Sequence, residues 1–235
     1  MRITSLTVAL AGLLLAGSSA HAALQITYSF DSGATTFTCG GVGPLTALCA
    51  PLTDGNVTVT NLSAFSNTPG LANLAQEFGS ALNIVNTAAG TFDVWIVSQD
   101  FMKPVGASIN FLSSIGTTAT VGTGTISLSS CVDTSNLLYP PFCSAGTLLV
   151  NAPLAYVPGA NSNSTTTTIA SLASPFALSQ HISIVLNAGS SINLSSSAVL
   201  TPTAVPEPMS IVLLGGIVLL TSGLIRRKRN QPSNV

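Results

Sequence analysis

The feature that most constrains the fold is a hydrophobic period of two in short segments of the chain. In LQITYSF, residues 24–30, every second side chain is apolar, which is the pattern of a half-buried strand. The same alternation recurs in NVTVTNL (56–62), FALSQHISIVLNAG (176–189) and SSINLSSSAVL (190–200). Gly, Asn and Ser separate these segments, as is typical of antiparallel strands. We therefore predict a mainly β fold, an antiparallel β-sandwich of the immunoglobulin-like or jelly-roll-like kind.

Three other segments are less regular. ALNIVNTAAGTFDVWIVSQDF (81–101) is predicted to form two strands joined by a tight turn at 87–90, a β-hairpin. The polar, low-complexity segment 158–175 is predicted to be a long surface loop. PGLANLAQEFGSAL (69–82) allows a short helix or a turn between strands. Four of its apolar residues recur at helical spacing: Leu71, Leu74, Phe78 and Leu82.

The N-terminus has the three parts of a secretory signal peptide. Arg2 provides the positive charge, residues 6–17 provide a short apolar core, and small residues follow at Ala20 and Ala22. This A-x-A pattern predicts cleavage just before Ala23. A retained membrane helix is disfavoured because the apolar run is too short to cross roughly 30 Å of hydrocarbon comfortably. We therefore expect export by the general secretion machinery and removal of this segment by signal peptidase.

The four cysteines form two close pairs in the sequence. Cys39 and Cys49 bracket one segment that contains Gly and Pro, and Cys131 and Cys143 bracket a second segment with two prolines. In an oxidising compartment an even number of cysteines in close pairs indicates local disulfides. Of the three possible connectivities we predict 39–49 with 131–143, each contributing roughly 2.5–3 kcal/mol in the chain-entropy treatment. A zinc site is disfavoured because no C-x-x-C spacing occurs and one His remains after signal removal.

Charged side chains are scarce and unevenly placed. They make up 6% of the chain, against roughly 25% in an average soluble protein. Between Arg2 and Arg226 the only basic residue is Lys103. The acidic residues of the predicted passenger, which ends before Pro206, are Asp31, Asp54, Glu77, Asp93, Asp100 and Asp133. A region with one Lys and no Arg cannot neutralise a row of phosphates, so nucleic-acid binding is excluded.

The C-terminal part has the composition of a single membrane span. Residues 209–225 carry no charge and are just long enough for one transmembrane helix. The positive-inside rule keeps the basic cluster that follows in the cytoplasm. This cluster consists of Arg226, Arg227, Lys228 and Arg229. Before the helix stand Pro206, Glu207 and Pro208, an extended tripeptide because each proline fixes its own φ and disfavours helix in the residue before it.

These residues resemble the PEP-CTERM sorting signal of exopolysaccharide-producing Gram-negative bacteria, which is also described as an ice-binding protein C-terminal domain. The tripeptide, the hydrophobic segment and the basic cluster occur in the order of that signal, over residues 206–230. The resemblance implies recognition by an exosortase, a membrane-embedded cysteine enzyme. It would cleave near the motif and release or relocate the passenger after a transient stay in the cytoplasmic membrane.

Three other kinds of C-terminal segment fit less well. A permanent single-span anchor does not need Pro-Glu-Pro, and a GPI signal normally ends in its hydrophobic tail. A Gram-positive sortase signal would carry an LPxTG-like motif, which does not occur here. The chain is therefore predicted to have four parts. They are a signal peptide (1–22), a β-sandwich passenger (23–195), a Ser/Thr/Pro-rich stalk (196–205) and the sorting signal (206–230).

Residues suited to catalysis are scarce in the passenger. His181 falls on the polar face of its predicted strand, where a solvated side chain is the favoured interpretation. Asp93 and Asp100 flank a strand, which favours ordinary surface acids over a paired-carboxylate hydrolase. No G-x-S-x-G, H-E-x-x-H or Gly-rich phosphate motif occurs. We therefore predict no catalytic, cofactor-binding or metal-binding residues.

Three ligand-binding alternatives remain. Asp31, Asp54 and Asp133 lie in loop-like segments where carbonyl oxygens could complete a calcium site, although no D-x-D-x-D run supports it. Trp95 alternates with apolar neighbours and is predicted to lie in the core, with stacking on a sugar ring as the functional alternative. Threonine-rich segments suggest ice binding as a third alternative. It is disfavoured because no fixed repeat period appears in the sequence.

The sequence thus predicts an exported, non-enzymatic protein of the cell surface or extracellular matrix, associated with exopolysaccharide or biofilm. The main alternative is a carbohydrate-binding module of that matrix, which would expose Trp95 or a Tyr beside Asn or Asp. A secreted hydrolase is less favoured, and it would need His181 within hydrogen-bond reach of an acid in a cleft. An ice-binding protein is also less favoured.

Overall fold

The computed structural model describes residues 23–39 and 45–203. The predicted signal peptide, sorting motif, basic cluster and C-terminal membrane helix lie outside the described residues. Within the described ranges, no helix has the length and hydrophobicity that crossing a membrane requires.

Residues 23–39 and 45–203 form fourteen β-strands. In chain order they are β1 (Leu24–Ser29), β2 (Phe37–Cys39), β3 (Thr46–Cys49), β4 (Leu52–Thr53), β5 (Val57–Ser66), β6 (Ala75–Asn86), β7 (Gly90–Phe101), β8 (Gly106–Val121), β9 (Gly124–Asp133), β10 (Gly146–Val150), β11 (Leu154–Tyr156), β12 (Gly159–Leu172), β13 (Phe176–Leu186) and β14 (Ser191–Pro202).

The strands form two antiparallel sheets of seven strands each. The first sheet has the order β10-β9-β13-β7-β1-β2, with β11 beside β9. The second has the order β12-β8-β14-β6-β5-β3, with β4 beside β5. Apolar side chains of both sheets share one core, for example Ile26 and Ile96 from the first and Val59 and Ile84 from the second. The predicted mainly β, antiparallel sandwich is confirmed at this level.

The predicted hairpin at 81–101 is wrong. Both halves are strands, but β6 pairs with β5 and β14, whereas β7 pairs with β1 and β13. The connection 87–89 therefore carries the chain from one sheet to the other. Asn86 supports this crossing, because its side-chain amide donates to the carbonyl oxygens of Ala88 and Asn187 at 2.7 and 2.8 Å. Alternation shows which face of a strand is buried, but it does not show whether the next strand lies beside it or across the core.

The helix considered for 69–82 is also wrong, because β6 occupies most of that segment. Over residues 75–81 the side chains that β6 turns toward the core are small or polar, whereas Phe78 faces outward and is 38% exposed. The inward residues are Ala75, Glu77, Gly79 and Ala81. The hydrophobicity of this segment therefore does not show the period of two of a strand, and the helical spacing of its larger apolar residues is coincidental.

Two segments predicted to be irregular are long strands. The surface loop proposed for 158–175 is β12, which pairs with β8 along its length. The stalk proposed to begin at 196 instead continues β14 to Pro202, between β8 and β6 in the second sheet. Because an edge strand covers only the rim of a core, polar residues are sufficient on its inward side. The β-branched threonines of β12 also favour an extended backbone. The compact unit accordingly extends to Pro202.

A layer of buried polar side chains divides the interior into two apolar clusters. Each of its three cross-links joins one sheet to the other. The hydroxyls of Ser66 and Ser98 lie 2.6 Å apart, and those of Ser113 and Ser130 lie 2.7 Å apart. Gln180 donates from Nε2 to the main-chain oxygen and the side-chain Oε1 of Glu77, at 3.0 and 3.1 Å. Burial raises the pKa of the Glu77 carboxyl well above its ordinary value, which favours the protonated form in the fold.

Both predicted disulfides are present. Cys39–Cys49 joins β2 of the first sheet to β3 of the second, with Cα atoms 5.5 Å apart. Cys131–Cys143 joins β9 to the segment 134–145 that follows it, with Cα atoms 5.7 Å apart. One bond therefore closes an edge of the sandwich, and the other anchors a loop.

Candidate functional site

The outer face of the first sheet, meaning the side turned away from the core, brings three of the predicted candidate residues together. Trp95 on β7 lies directly across from His181 on β13. The two rings stack almost parallel, with centroids 4.7 Å apart and an interplanar angle of 3°. His181 Nε2 lies 3.1 Å from Asp93 Oδ1, and the Asp93 side chain is buried. The prediction that Asp93 is an ordinary surface acid is therefore wrong, whereas the His181 side chain is on the outer face, as predicted, and is 29% exposed.

The loop 134–145 covers this cluster. Tyr139 stacks on Trp95 with ring centroids 4.8 Å apart, and Phe142 meets His181 edge-on at 5.8 Å. Trp95 is left only 7% exposed. Its burial was predicted, but it lies outside the core between the sheets, because its neighbours Val94 and Ile96 are the ones that point inward.

Hydrogen bonds at both ends hold the loop in place. The Asp133 carboxylate accepts from the main-chain N–H and hydroxyl of both Ser135 and Ser144, at 2.7–3.2 Å. Burial of Asp133 alone would raise its pKa, but these bonds outweigh that effect and lower it. Asn136 donates to Asp100 Oδ1 at 2.7 Å, which ties the loop to the end of β7. Asp93 and Asp100 thus stand apart with separate partners, as predicted.

The predicted calcium candidates do not come together. Asp31 accepts bonds from the Ser29 hydroxyl at 2.6 Å and the Thr35 N–H at 2.8 Å, and these bonds lower its pKa to about 2. Asp54 accepts from main-chain N–H groups of its own turn. Each of these carboxylates therefore closes its own loop. Among the described residues, no group of three His, Cys, Asp or Glu side chains could hold a metal ion.

The outer face of the second sheet has a different character. Phe65 on β5 and Phe78 on β6 form a cross-strand pair, with ring centroids 6.3 Å apart and an interplanar angle of 27°. Their exposed fractions are 39% and 38%, and Leu48 beside them is 66% exposed. With Thr46, Ser63 and Ser80, among others, they line a shallow groove of about 410 Å³.

Hydroxyl-bearing residues continue this face across the whole sheet. Register partners on consecutive strands form rows that run from β12 to β3. One row consists of Ser162, Gly116, Ser195, Ser80, Ser63 and Leu48. The next row runs Ser164, Ser114, Ser197, Phe78, Phe65 and Thr46. Two further depressions, of about 360 and 520 Å³, lie over these rows and share Gly116 and Ser195.

No ionisable side chain points outward from these six strands. Glu77 is the only charged residue in these strands, and its side chain points into the core. This face is not predicted by the sequence patterns, because the spacing around Phe78 suggests a helix and Phe65 stands in a segment without a distinctive motif. The two phenylalanines occupy outward positions on neighbouring strands, and this is the signal that could have identified the face. It can be recognised only when the register of β5 against β6 is known.

Comparisons with known proteins give no family. No family model matches the sequence, and no curated protein sequence is significantly similar to it. Solved structures with a related backbone include the CBM22-1 and GH10 modules of Clostridium thermocellum endo-1,4-β-D-xylanase 10B complexed with xylohexaose. That match has 15% identity and a TM-score of 0.32 over 67% of this chain and 26% of the xylanase chain.

Another such structure is TmCBM61 in complex with β-1,4-galactotriose, with 8% identity and a TM-score of 0.29 over 59% of this chain and 86% of that one. The chain spans about a quarter of the length of the xylanase chain that it matches. These scores are too low to assign the chain to a family or to transfer a ligand.

Proposed function

We propose that this protein is an exported, non-enzymatic component of the cell surface or extracellular matrix that binds an uncharged polysaccharide. The binding surface is the outer face of the second sheet. The observation that carries the proposal is the pair Phe65 and Phe78, stacked and more than a third exposed, in a mainly apolar groove that also contains three hydroxyl-bearing residues, Thr46, Ser63 and Ser80.

A sugar ring needs both of the groups that this face offers. Its C–H face is apolar and packs against an aromatic ring, while its hydroxyls exchange hydrogen bonds with polar side chains. Ser63 and Ser80 stand in the row beside the two phenylalanines, so both contacts are available to one ring. Neutral hydroxyls also cost less to desolvate than charged groups, which favours a neutral ligand.

The shape of the face favours a chain over a single sugar. The groove at Phe65 and the depression next to it share Ser80, and that depression shares Ser195 with the third. Together they cross from β3 to β12, roughly 24 Å at the usual strand spacing. An extended oligosaccharide of several units could follow this path across the strands.

Delivery to the surface is the second part of the proposal. It is supported by the signal-peptide pattern and by the resemblance of residues 206–230 to the PEP-CTERM signal. The two disulfides fit an oxidising compartment. An exosortase would act on the tail after passage through the general secretion machinery, with exopolysaccharide as the partner outside. The jelly-roll-like or immunoglobulin-like subclass of the sandwich stays part of this proposal.

Binding is tested with the isolated protein on a panel of neutral polysaccharides, with a polyuronate as the charged comparison. We expect retention on at least one neutral polymer, and weakening by about tenfold or more in Phe65→Ala or Phe78→Ala, since an aromatic contact of this kind is worth about 1.5 kcal/mol. Phe37→Ala is the matched control. Phe37 is also exposed and stacked on an aromatic ring, Tyr28, but belongs to the first sheet. Blank binding across the panel would refute the proposal.

Processing is tested by the intact mass of the protein recovered from the producing cells and their medium. The expected product lacks residues 1–22 and the segment 209–229. Replacing Glu207 with Ala is expected to leave the tail attached, because the tripeptide would no longer match the signal. A wild-type product that keeps the apolar segment and the basic cluster contradicts the sorting proposal and leaves the binding proposal standing.

One observation favours a second candidate, a secreted hydrolase. His181 lies within hydrogen-bond distance of Asp93, as a general base with its orienting carboxylate would. Among the described residues, however, no Ser, Thr or Cys side chain is hydrogen-bonded to His181. Turnover of any polysaccharide that the protein binds, abolished by His181→Ala, would favour this candidate over a passive binder.

A further inference from the structure

The edges of the two sheets are not alike. The β10 edge of the first sheet is short and is separated from β11 by a segment with Pro153, and the opposite edge is β2, three residues long. In the second sheet one edge is formed by β3 and β4, interrupted at Pro51. The Cys39–Cys49 disulfide further ties β2 to β3. Shortness, proline and covalent closure all discourage another strand from adding to an edge.

The remaining edge, β12, has none of these features. It is 14 residues long, contains no proline and carries no charge. Its register with β8 is unbroken from Gly159 opposite Ala119 to Ile169 opposite Ile109. No other described strand pairs with it. Every second residue of such a strand turns its main-chain N–H and C=O away from the sheet, ready to pair with a further strand.

We propose that β12 pairs with β12 of a second copy of this chain and joins the two second sheets into one. Paired residues of antiparallel strands point to the same face, so outward residues would meet outward residues. These are Ser162, Ser164, Thr166 and Thr168, all exposed in the single chain. A two-fold axis near Thr166 would set Ser164 of one copy opposite Thr168 of the other.

A second copy suits this edge better than an unrelated strand. The two edges are equal in length, and neither brings a charge that would repel its twin. The contact is isologous, so one pairing consumes both edges and the assembly closes as a dimer instead of growing into a fibre. A long edge without protective residues would otherwise be a site of uncontrolled aggregation.

The pairing has a consequence for the outer face of the second sheet. The serine rows of the two copies would run into each other across the dyad and double the length of the uncharged surface. Two copies of the Phe65 and Phe78 pair would then lie at its far ends. The association itself does not depend on what this surface binds, so the two proposals fail independently.

The experiment is sedimentation equilibrium on the protein isolated from cells that express the whole chain. We expect a dimer, and a dissociation constant raised at least about tenfold by Thr166→Lys, because a lysine on the edge opposes strand addition and meets its own copy across the axis. Ser164→Lys, one outward position away, should act alike. Thr58→Lys is the control, since it makes the same change on an exposed threonine of β5, remote from the edge.

Hydrogen exchange on the wild-type protein gives a readout that needs no variant. Main-chain amides of 160–170 should exchange more slowly as the protein concentration rises, whereas those of β10 should not change. A wild-type monomer at the highest measurable concentration overturns the proposal. So does a dimer that resists both edge lysines, and so does a dimer whose formation leaves exchange in β12 unchanged.

Discussion

The two sheets carry opposite kinds of outer face. On the first, Trp95 packs against His181, Asp93 holds the His181 ring, and a loop fixed by the Cys131–Cys143 disulfide lies over both rings. On the second, Phe65 and Phe78 stand exposed among serines. The larger aromatic, with the stronger stacking surface, is thus the one that a ligand reaches least.

This difference shows that coverage, and not residue type, decides which aromatic can bind. Trp95 is 7% exposed and Phe65 is 39% exposed. A buried ring with two stacked neighbours contributes to stability, because its apolar area is already removed from water. A half-exposed ring contributes less to stability and retains area for a partner. The first face therefore serves the fold, and the second face is available for function.

Removing the Cys131–Cys143 disulfide should have the largest effect on this contrast. The Cys131→Ser, Cys143→Ser double variant is expected to lose about 3 kcal/mol of unfolding free energy, the chain-entropy value for a loop of this size. Without the bond from Cys143 to β9, the loop should move away from Trp95 and expose the ring to water. Because Trp95 is the only tryptophan, its fluorescence emission should shift to longer wavelength in the folded protein.

The other disulfide provides the control for that experiment. The Cys39→Ser, Cys49→Ser double variant opens a disulfide-closed loop of similar size and should lose a similar free energy. Its Trp95 emission should stay at the wild-type wavelength, because the covering loop is untouched. Equal spectral shifts in both variants would mean that the loop 134–145 does not shield Trp95 in the way the structure indicates.

A smaller effect is expected at Glu77, which keeps the second face uncharged by pointing inward. The unfolded carboxyl ionises near 4.5, whereas burial raises the pKa of the folded one well above that value. The contribution of Glu77 to stability is therefore full below pH 4.5 and is lost as the pH rises toward the folded pKa. Glu77→Gln should remove this fall and raise the unfolding free energy at neutral pH, because the amide has no proton to lose and the buried position then never has to hold or neutralise a charge.

Asp31 offers a control of opposite sign. Its pKa is lowered from 3.8 to about 2, chiefly by the Ser29 hydroxyl. It therefore adds stability above about pH 4 that is lost as the pH falls toward 2. Chemical unfolding measured from pH 3 to 8 should show Glu77→Gln flattening the neutral side of the profile and Asp31→Asn flattening the acid side. A wild-type stability that does not fall above pH 4.5 would contradict the burial of a protonated Glu77.

The fold class followed from the sequence wherever a strand had a large apolar face. Both disulfides followed from spacing alone, since each pair is close in the chain. The failures share a cause: the first half of β6 turns small and polar residues to the core, and β12 lies at the rim, where Asn and Thr are sufficient. The hydrophobicity of such strands carries no period, so they resemble a helix and a loop.

The candidate site was predicted less well than the fold. His181, Asp93 and Trp95 were each identified, but their contact depends on the pairing of β7 with β13, which pattern alone does not give. The Phe65 and Phe78 pair was invisible for the same reason, as it needs the register of β5 against β6. Side chains that act together across strands become visible only when the register is known.

The smallest expected effect tests whether the exposed aromatic side chains of the second sheet contribute to the stability of the fold. Phe65→Ala should change the unfolding free energy by less than about 1 kcal/mol, because more than a third of the ring is already in water. The measurement is denaturant unfolding, read beside polysaccharide binding by the same sample. A variant that keeps its stability and loses binding separates the two roles that Trp95 and Phe65 represent. A loss of stability as large as that from removing a disulfide would place Phe65 with the structural residues and leave the second face without its proposed anchor.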